Sequence, residues 1–163
     1  MPDWERIVSG HGPLVFATAW RILGHVADTE DVVQDVFLQA YQTHRAEPVR
    51  CWEAFLRRLA TCRALDRLRK RRPAVPLDGL ALPAGEEGPE ESALGRELAE
   101  RLRRAVAQLP PREADVFCLR YFEDLSYEQI AETLGIQAGA VATALHKARA
   151  KLEALLLEPA RRA

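Results

Sequence analysis

Apolar residues recur at helical spacing almost throughout this chain, and the recurrence is interrupted by one proline- and glycine-rich stretch that begins at Pro73. Period-two alternation, the signature of a half-buried strand, is hard to find. The interruption carries Pro73, Pro76, Pro83 and Pro89, together with Gly79, Gly85, Gly88 and four glutamates. Such a composition cannot sustain a regular element and reads as a mobile or extended linker. The expected fold class is therefore all-α. Two small helical domains are joined by a flexible linker, with boundaries at 1–72, 73–95 and 96–163.

Within the first block, Leu14, Val15, Ala19, Ile22 and Leu23 lie on one face of a helix that ends at Gly24. Asp28 is the expected N-cap of a second helix reaching about Tyr41. Its apolar face is Val32, Val33, Val36, Phe37, Ala40 and Tyr41, and its outer face shows Asp31, Gln34 and Asp35. A third helix is predicted from near Arg50. Trp52, Phe55, Leu56 and Leu59 step along it, Thr61-Cys62 mark a bend, and Pro73 ends it. The spacing of Trp52 and Phe55 fits core packing better than base stacking. In the second block, Leu98, Leu102, Val106 and Leu109 step along a helix closed by Pro110-Pro111.

The most specific segment follows. Ser126-Tyr127-Glu128-Gln129 is a capping box opening a short helix. Small Ala131 admits a neighbouring helix, Gly135 supplies a turn at positive φ, and Ile136 fills the corner. A second helix from about Ala138 buries Val141, Leu145, Ala148 and Leu152. Two helices joined this way form the helix-turn-helix that sets its second helix in a DNA major groove.

Charge is distributed unevenly. The formal net charge is only −1, yet residues 45–72 hold ten basic residues against Glu47, Glu53 and Asp66. A concentrated basic block of that kind suits a phosphate-binding face. The three cysteines, Cys51, Cys62 and Cys118, are widely spaced and apart from the histidines, so no metal site and no cofactor is expected. No Gly-rich phosphate loop or nucleophile motif points to an enzyme. The absence of a long apolar run and of a signal-peptide layout leads to an expected cytoplasmic location without membrane insertion.

Several segments, in order, resemble the extracytoplasmic-function sigma factors of bacterial RNA polymerase. They are Asp28-Thr29-Glu30-Asp31-Val32-Val33-Gln34-Asp35-Val36-Phe37; Phe55-Leu56-Arg57-Arg58-Leu59-Ala60 with Ala64-Leu65-Asp66-Arg67-Leu68-Arg69; Leu109-Pro110-Pro111-Arg112-Glu113; and Leu125-Ser126-Tyr127-Glu128-Gln129-Ile130-Ala131. The resemblance implies that Asp31, Gln34, Asp35 and Leu38 meet the β′ clamp helices of core RNA polymerase. It implies that Thr61, Cys62, Arg63, Arg67, Arg69, Lys70, Arg71 and Arg72 hold the promoter −10 element, with a flipped base near the Thr61-Cys62 bend. It further implies that Ser126, Gln137, Ala138, Thr143, His146, Lys147 and Arg149 face the −35 element, and that the second domain meets the β flap. An anti-sigma partner is expected by family habit. Two departures stand out. Cys62 occupies a position often held by asparagine, and Ala142 and Ala144 occupy positions usually basic, which leads to an expectation of weak or unusual −35 recognition. A sigma-like decoy that binds polymerase but reads DNA poorly is the alternative.

Overall fold

The computed structural model describes residues 3–71 and 92–157, and within them all regular structure is helical. The linker expected over 73–95 lies mostly outside the described residues, as does Arg72. The first unit consists of α1 (Trp4–Leu23), α2 (Val26–Ala46) and α3 (Trp52–Lys70). The second consists of α4 (Ala93–Ala107), α5 (Pro111–Tyr121), α6 (Tyr127–Leu134) and α7 (Ala138–Leu156).

Local chemistry accounts for most of the boundaries. Gly24 ends α1 in the left-handed region at φ 59°, and its N–H donates to the Trp20 carbonyl. Ser92 caps α4 by accepting from the Gly95 N–H. Pro111 opens α5 at a position where the missing N–H costs nothing. One boundary differs from expectation. α2 is capped by His25, whose Nδ1 accepts from the Asp28 N–H, so Asp28 lies inside the first turn, where its charge suits the helix dipole. That helix also runs five residues beyond Tyr41, to Ala46.

α3 is the centre of the molecule. It packs against α1 and α2 on one side and against α4, α5 and α6 on the other. Leu56, Ala60, Ala64 and Leu65 are fully buried along it. The buried residues of both units belong to one contiguous apolar cluster. Trp52 and Phe55 pack on this cluster, as their spacing predicts, and Trp52 meets Trp4 edge-on at 5.9 Å between centroids. No break in the helix accompanies the bend expected at Thr61-Cys62. α3 runs uninterrupted from Trp52 to Lys70, because Thr61 and its neighbours Ala60 and Ala64 are sealed in the core. Of the apolar residues that step along α4, Leu98 is 51% exposed; Ala105 and Val106 carry the buried part of the helix.

Because Leu65 is fully buried on α3, Leu65→Ala should lower stability by about 2–5 kcal/mol. Chemical denaturation followed by circular dichroism measures this. A loss under about 1 kcal/mol would show that the site collapses around the cavity.

Candidate nucleic-acid and polymerase interface

The helix-turn-helix forms as its sequence prescribes. The Ser126 Oγ accepts from the Gln129 N–H at 3.1 Å, and the Gln129 Oε1 accepts from the Ser126 N–H at 2.8 Å. Gly135 sits at φ 67°, and the Ile136 N–H donates to the Ala131 carbonyl at 3.0 Å. Val141, Leu145, Ala148 and Leu152 are buried, which turns the opposite face of α7 to solvent. That face shows Gln137, Ala138, Gly139, Ala140, Ala142, Thr143, His146, Lys147 and Arg149. Ala144 does not belong to it: at 7% exposure it packs inward, so its small side chain is a packing feature rather than a missing base contact. Ala142 is exposed, and it remains a surface position without a hydrogen-bonding group.

Several expected DNA contacts on α7 already have partners. The Thr143 hydroxyl donates to the Gly139 carbonyl at 3.0 Å. The Arg149 Nε donates to the Tyr121 hydroxyl at 2.6 Å, and its guanidinium stands over the Tyr121 ring. Lys151 reaches both carboxylate oxygens of Glu113 at 2.9 Å. His146 and Lys147 are exposed, and neither has a hydrogen-bond or ion-pair partner among the described residues. Gln137 is the N-cap of α7 but makes no side-chain cap bond.

In the first unit, Asp31, Gln34, Asp35 and Leu38 are all exposed on α2, and Leu38 at 59% is one of the most exposed large apolar side chains. Asp35 and Leu38 line a shallow groove of about 460 Å³ with Gln39, Gln42 and Arg63. The basic residues of α3 are distributed around this face and held by acids. The Arg63 Nε donates to Gln39 at 2.7 Å. Arg67 bridges Asp28 and Asp31 at 3.0 and 3.1 Å, and Arg71 reaches Asp28 at 2.9 Å. Burial alone would raise the Asp28 pKa, but the bonds from Arg71 and Arg67 outweigh it and hold the carboxyl below its usual range. This contribution to stability is present above the ordinary carboxylate pKa and fades as pH falls through the depressed value.

Arg69 pairs with Asp66 at 3.5 Å, and Lys70 is exposed. Cys62 is exposed, whereas Thr61 is 1% exposed with its hydroxyl unpartnered. Thr61 is therefore removed from the surface set expected for DNA. Arg58 was missed by sequence reasoning. It is exposed on α3, one turn before Cys62, and its charge acts on Cys62 and Asp115. No cluster of His, Cys, Asp and Glu able to hold a metal ion occurs among the described residues, and no described helix is long and apolar enough to cross a membrane.

Fold and surface together define a two-unit, all-helical protein with a helix-turn-helix in the second unit and a basic helix in the first. The family models for Sigma-70 region 2 and Sigma-70 region 4 match residues 7–74 and 99–152. The chain is 31% identical over 160 residues to the ECF RNA polymerase sigma factor SigW of Bacillus subtilis, covering 90% of this chain and 84% of that one. It is 32% identical over 156 residues to the ECF RNA polymerase sigma factor SigE of Mycolicibacterium smegmatis, covering 93% of this chain but only 61% of the relative. Among solved structures, CnrH in complex with the cytosolic domain of CnrY superposes with a TM-score of 0.62 at 25% identity, covering 96% of this chain and 88% of that one. The chain belongs to the extracytoplasmic-function sigma factors.

The uncapped start of α7 gives a direct test. Gln137→Ser should stabilise the protein by about 0.5–1 kcal/mol by satisfying a free N–H in the first turn. Thermal melting reads this, and an unchanged midpoint would mean that another group already serves those donors.

Proposed function

We propose that the chain directs core RNA polymerase to promoters through α2, α3 and α7, acting as a cytoplasmic initiation factor rather than as a catalyst. The observation that carries this reading is the division of surfaces. Acidic, amide and apolar groups gather on the outer face of α2, basic groups on α3, and an open helix-turn-helix face on α7. Asp35, Gln34 and Leu38 would meet the β′ clamp helices, with Asp31 held in place by Arg67. Exposed carboxylates suit a basic partner, steering the encounter and accepting charge-assisted hydrogen bonds.

On α3 and just beyond it, Cys62, Arg63, Arg67, Arg69, Lys70, Arg71 and Arg72 would serve the −10 element, the arginines and lysine neutralising phosphates and Cys62 lying where a flipped base would sit. Arg58 joins them. On α7, Lys147 and His146 would be the first long side chains to reach −35 DNA, with Ser126 and the N-terminal turn of α7 from Gln137 against the backbone. Thr143 and Arg149 would join only by exchanging their present partners. The second unit would dock on the β flap. An anti-sigma protein is the proposed silencing partner, in line with the CnrH relative, which was solved with the cytosolic domain of CnrY. Promoter direction is favoured over a decoy role because Ala144 is buried, so only Ala142 remains as a position emptied of base contact.

In vitro transcription with core polymerase on a promoter library tests the reading, and a chain that never stimulates run-off product would end it. Charge reversal at Asp31 and Asp35 should weaken core-polymerase binding about tenfold or more while the circular dichroism spectrum stays unchanged. Asp35→Lys alone is the cleaner variant, since Asp31 also pairs with Arg67. Lys147→Ala should lower affinity for DNA of any sequence and reduce the magnitude of the salt-dependence slope by about 1.

A further inference from the structure

Tyr121 is the last residue of α5, and it is 48% exposed. Two neighbours fix its ring. Phe117, buried one turn back, lies 4.8 Å away between centroids at a tilt of 39°. The Arg149 guanidinium of α7 stands 5.4 Å from the ring centroid, and its Nε donates to the phenolic oxygen at 2.6 Å. That bond is the main cause that raises the Arg149 pKa, and Tyr127 adds to it. A second pair of the same kind stands nearby. Arg120 lies 5.8 Å over the Tyr127 ring and donates to the Leu125 carbonyl at 3.1 Å. Leu125 precedes Ser126, the cap of α6, so this second pair braces the chain as it enters the helix-turn-helix.

The Tyr121 hydroxyl is satisfied on one side only. A phenol accepts at its oxygen and donates one proton. The oxygen accepts from Arg149, and the O–H has no acceptor among the described residues. A cation on the oxygen draws electron density from the O–H bond, which makes the phenol a stronger donor toward an anion. The fold says which anion can reach it. Ala142, His146 and Arg149 stand at i, i+4 and i+7 and are all exposed, so Arg149 shares a face of α7 with the residues turned toward DNA. α6 begins at Tyr127, within range of the same arginine. In a helix-turn-helix the first helix crosses the DNA backbone while the second enters the groove. The anion that meets this corner is therefore a backbone phosphate.

We propose that Tyr121 is a DNA-contacting residue, its hydroxyl donating to a backbone phosphate beside the groove that α7 enters while Arg149 holds and polarises it. This rests on the DNA-binding reading of α7 given above. Tyr121, rather than Arg149, is the group that touches phosphate, and Arg149 acts through it as a positioning residue from where it stands. The contact is neutral, so it adds affinity without releasing a counterion and leaves the salt dependence of binding alone. It carries no base information, so it fixes the register of α7 in the groove and not the choice of sequence. Neither the basic block nor the helix-turn-helix pattern marks Tyr121, because it is uncharged and lies on the helix before the motif.

The test uses the full chain and a fluorescently labelled DNA duplex at low salt. Tyr121→Phe keeps the ring, its packing on Phe117 and the stack under Arg149, and removes only the hydroxyl. It should weaken duplex binding about threefold or more while the salt slope stays unchanged. A second readout separates contact from mere bracing. With a ring-fluorinated tyrosine in place of Tyr121 alone, the fluorine NMR signal follows the partner of the hydroxyl, and it should move when duplex saturates the chain. Arg149→Ala should shift that signal in the free chain and shrink the change that DNA induces. A signal that stays in place at saturation would overturn the proposal, and so would a Tyr121→Phe chain that binds duplex as tightly as wild type. Lys147→Ala keeps the two readings apart. If it weakens binding and Tyr121→Phe does not, α7 meets DNA without help from Tyr121. A wild-type chain that binds no duplex ends the α7 reading and this inference with it.

Discussion

Everything in this molecule is arranged around the burial of one basic helix. α3 carries fully buried Leu56, Ala60, Ala64 and Leu65 and, interleaved with them, arginines at 57, 58, 63, 67 and 69. A helix packed on both sides cannot leave such arginines in a single wet stripe. Charges taken out of water are tolerated only when paired, and α2 and the second unit bring acids or amides to α3. Asp28 and Asp31 of α2 take Arg67, Gln39 takes Arg63, and Glu123 takes Arg57. The same pairing fixes the geometry of both proposed surfaces. It orients Asp31 beside the α2 face proposed for polymerase and sets the arginines proposed for DNA at fixed positions along one axis.

This sharing has a cost in specificity of role. Arg67 is bound to the carboxylates of Asp28 and Asp31, and Arg71 shares Asp28 with it, so neither is a free cation awaiting phosphate. Binding DNA there means exchanging carboxylate for phosphate, and the net gain is smaller than a count of basic residues suggests. The block of ten basic residues at 45–72 thus overstates the free positive charge. Lys70 and Arg58, exposed on α3, come nearer to what the count implies.

What was legible in the sequence was what is decided within a few residues. The Ser126–Gln129 box, the turn at Gly135 and the stop at Gly24 each follow from local backbone chemistry, and all are present. The helical faces of Val141, Leu145, Ala148 and Leu152 follow from periodicity. The cap of α2 was not legible, because an imidazole accepting from an N–H three residues on is outside the usual set of short capping side chains. The unbroken run of α3 was not legible either. A bend at Thr61-Cys62 answered a functional expectation, whereas packing from five helices decides the backbone there. Leu98 kept helical spacing without facing a partner, since periodicity says which residues share a face but not whether that face is covered. The Glu123 pairs lie 102 and 66 residues from their partners Arg21 and Arg57, and no local pattern announces them.

The recognition helix shows how burial changes the meaning of a residue. Read linearly, Ala138 to Leu145 is a helix stripped of side chains that could read bases. Placed in the fold, Val141, Ala144 and Leu145 belong to the core, and the outward residues are Ala138, Gly139, Ala140, Ala142 and Thr143 before His146 and Lys147. Small outward residues let the helix backbone come close to a groove wall, where contact is governed by width and shape. Thr143 spends its hydroxyl proton on the Gly139 carbonyl, leaving an oxygen that can only accept and a methyl that can meet an apolar edge such as a thymine methyl. Basic character begins a full turn later, at Lys147, a position suited to the DNA backbone rather than the bases on the reading proposed above. Such a helix would grip by fit and phosphate charge more than by hydrogen-bond code. Discrimination between promoters would then fall chiefly on the first unit.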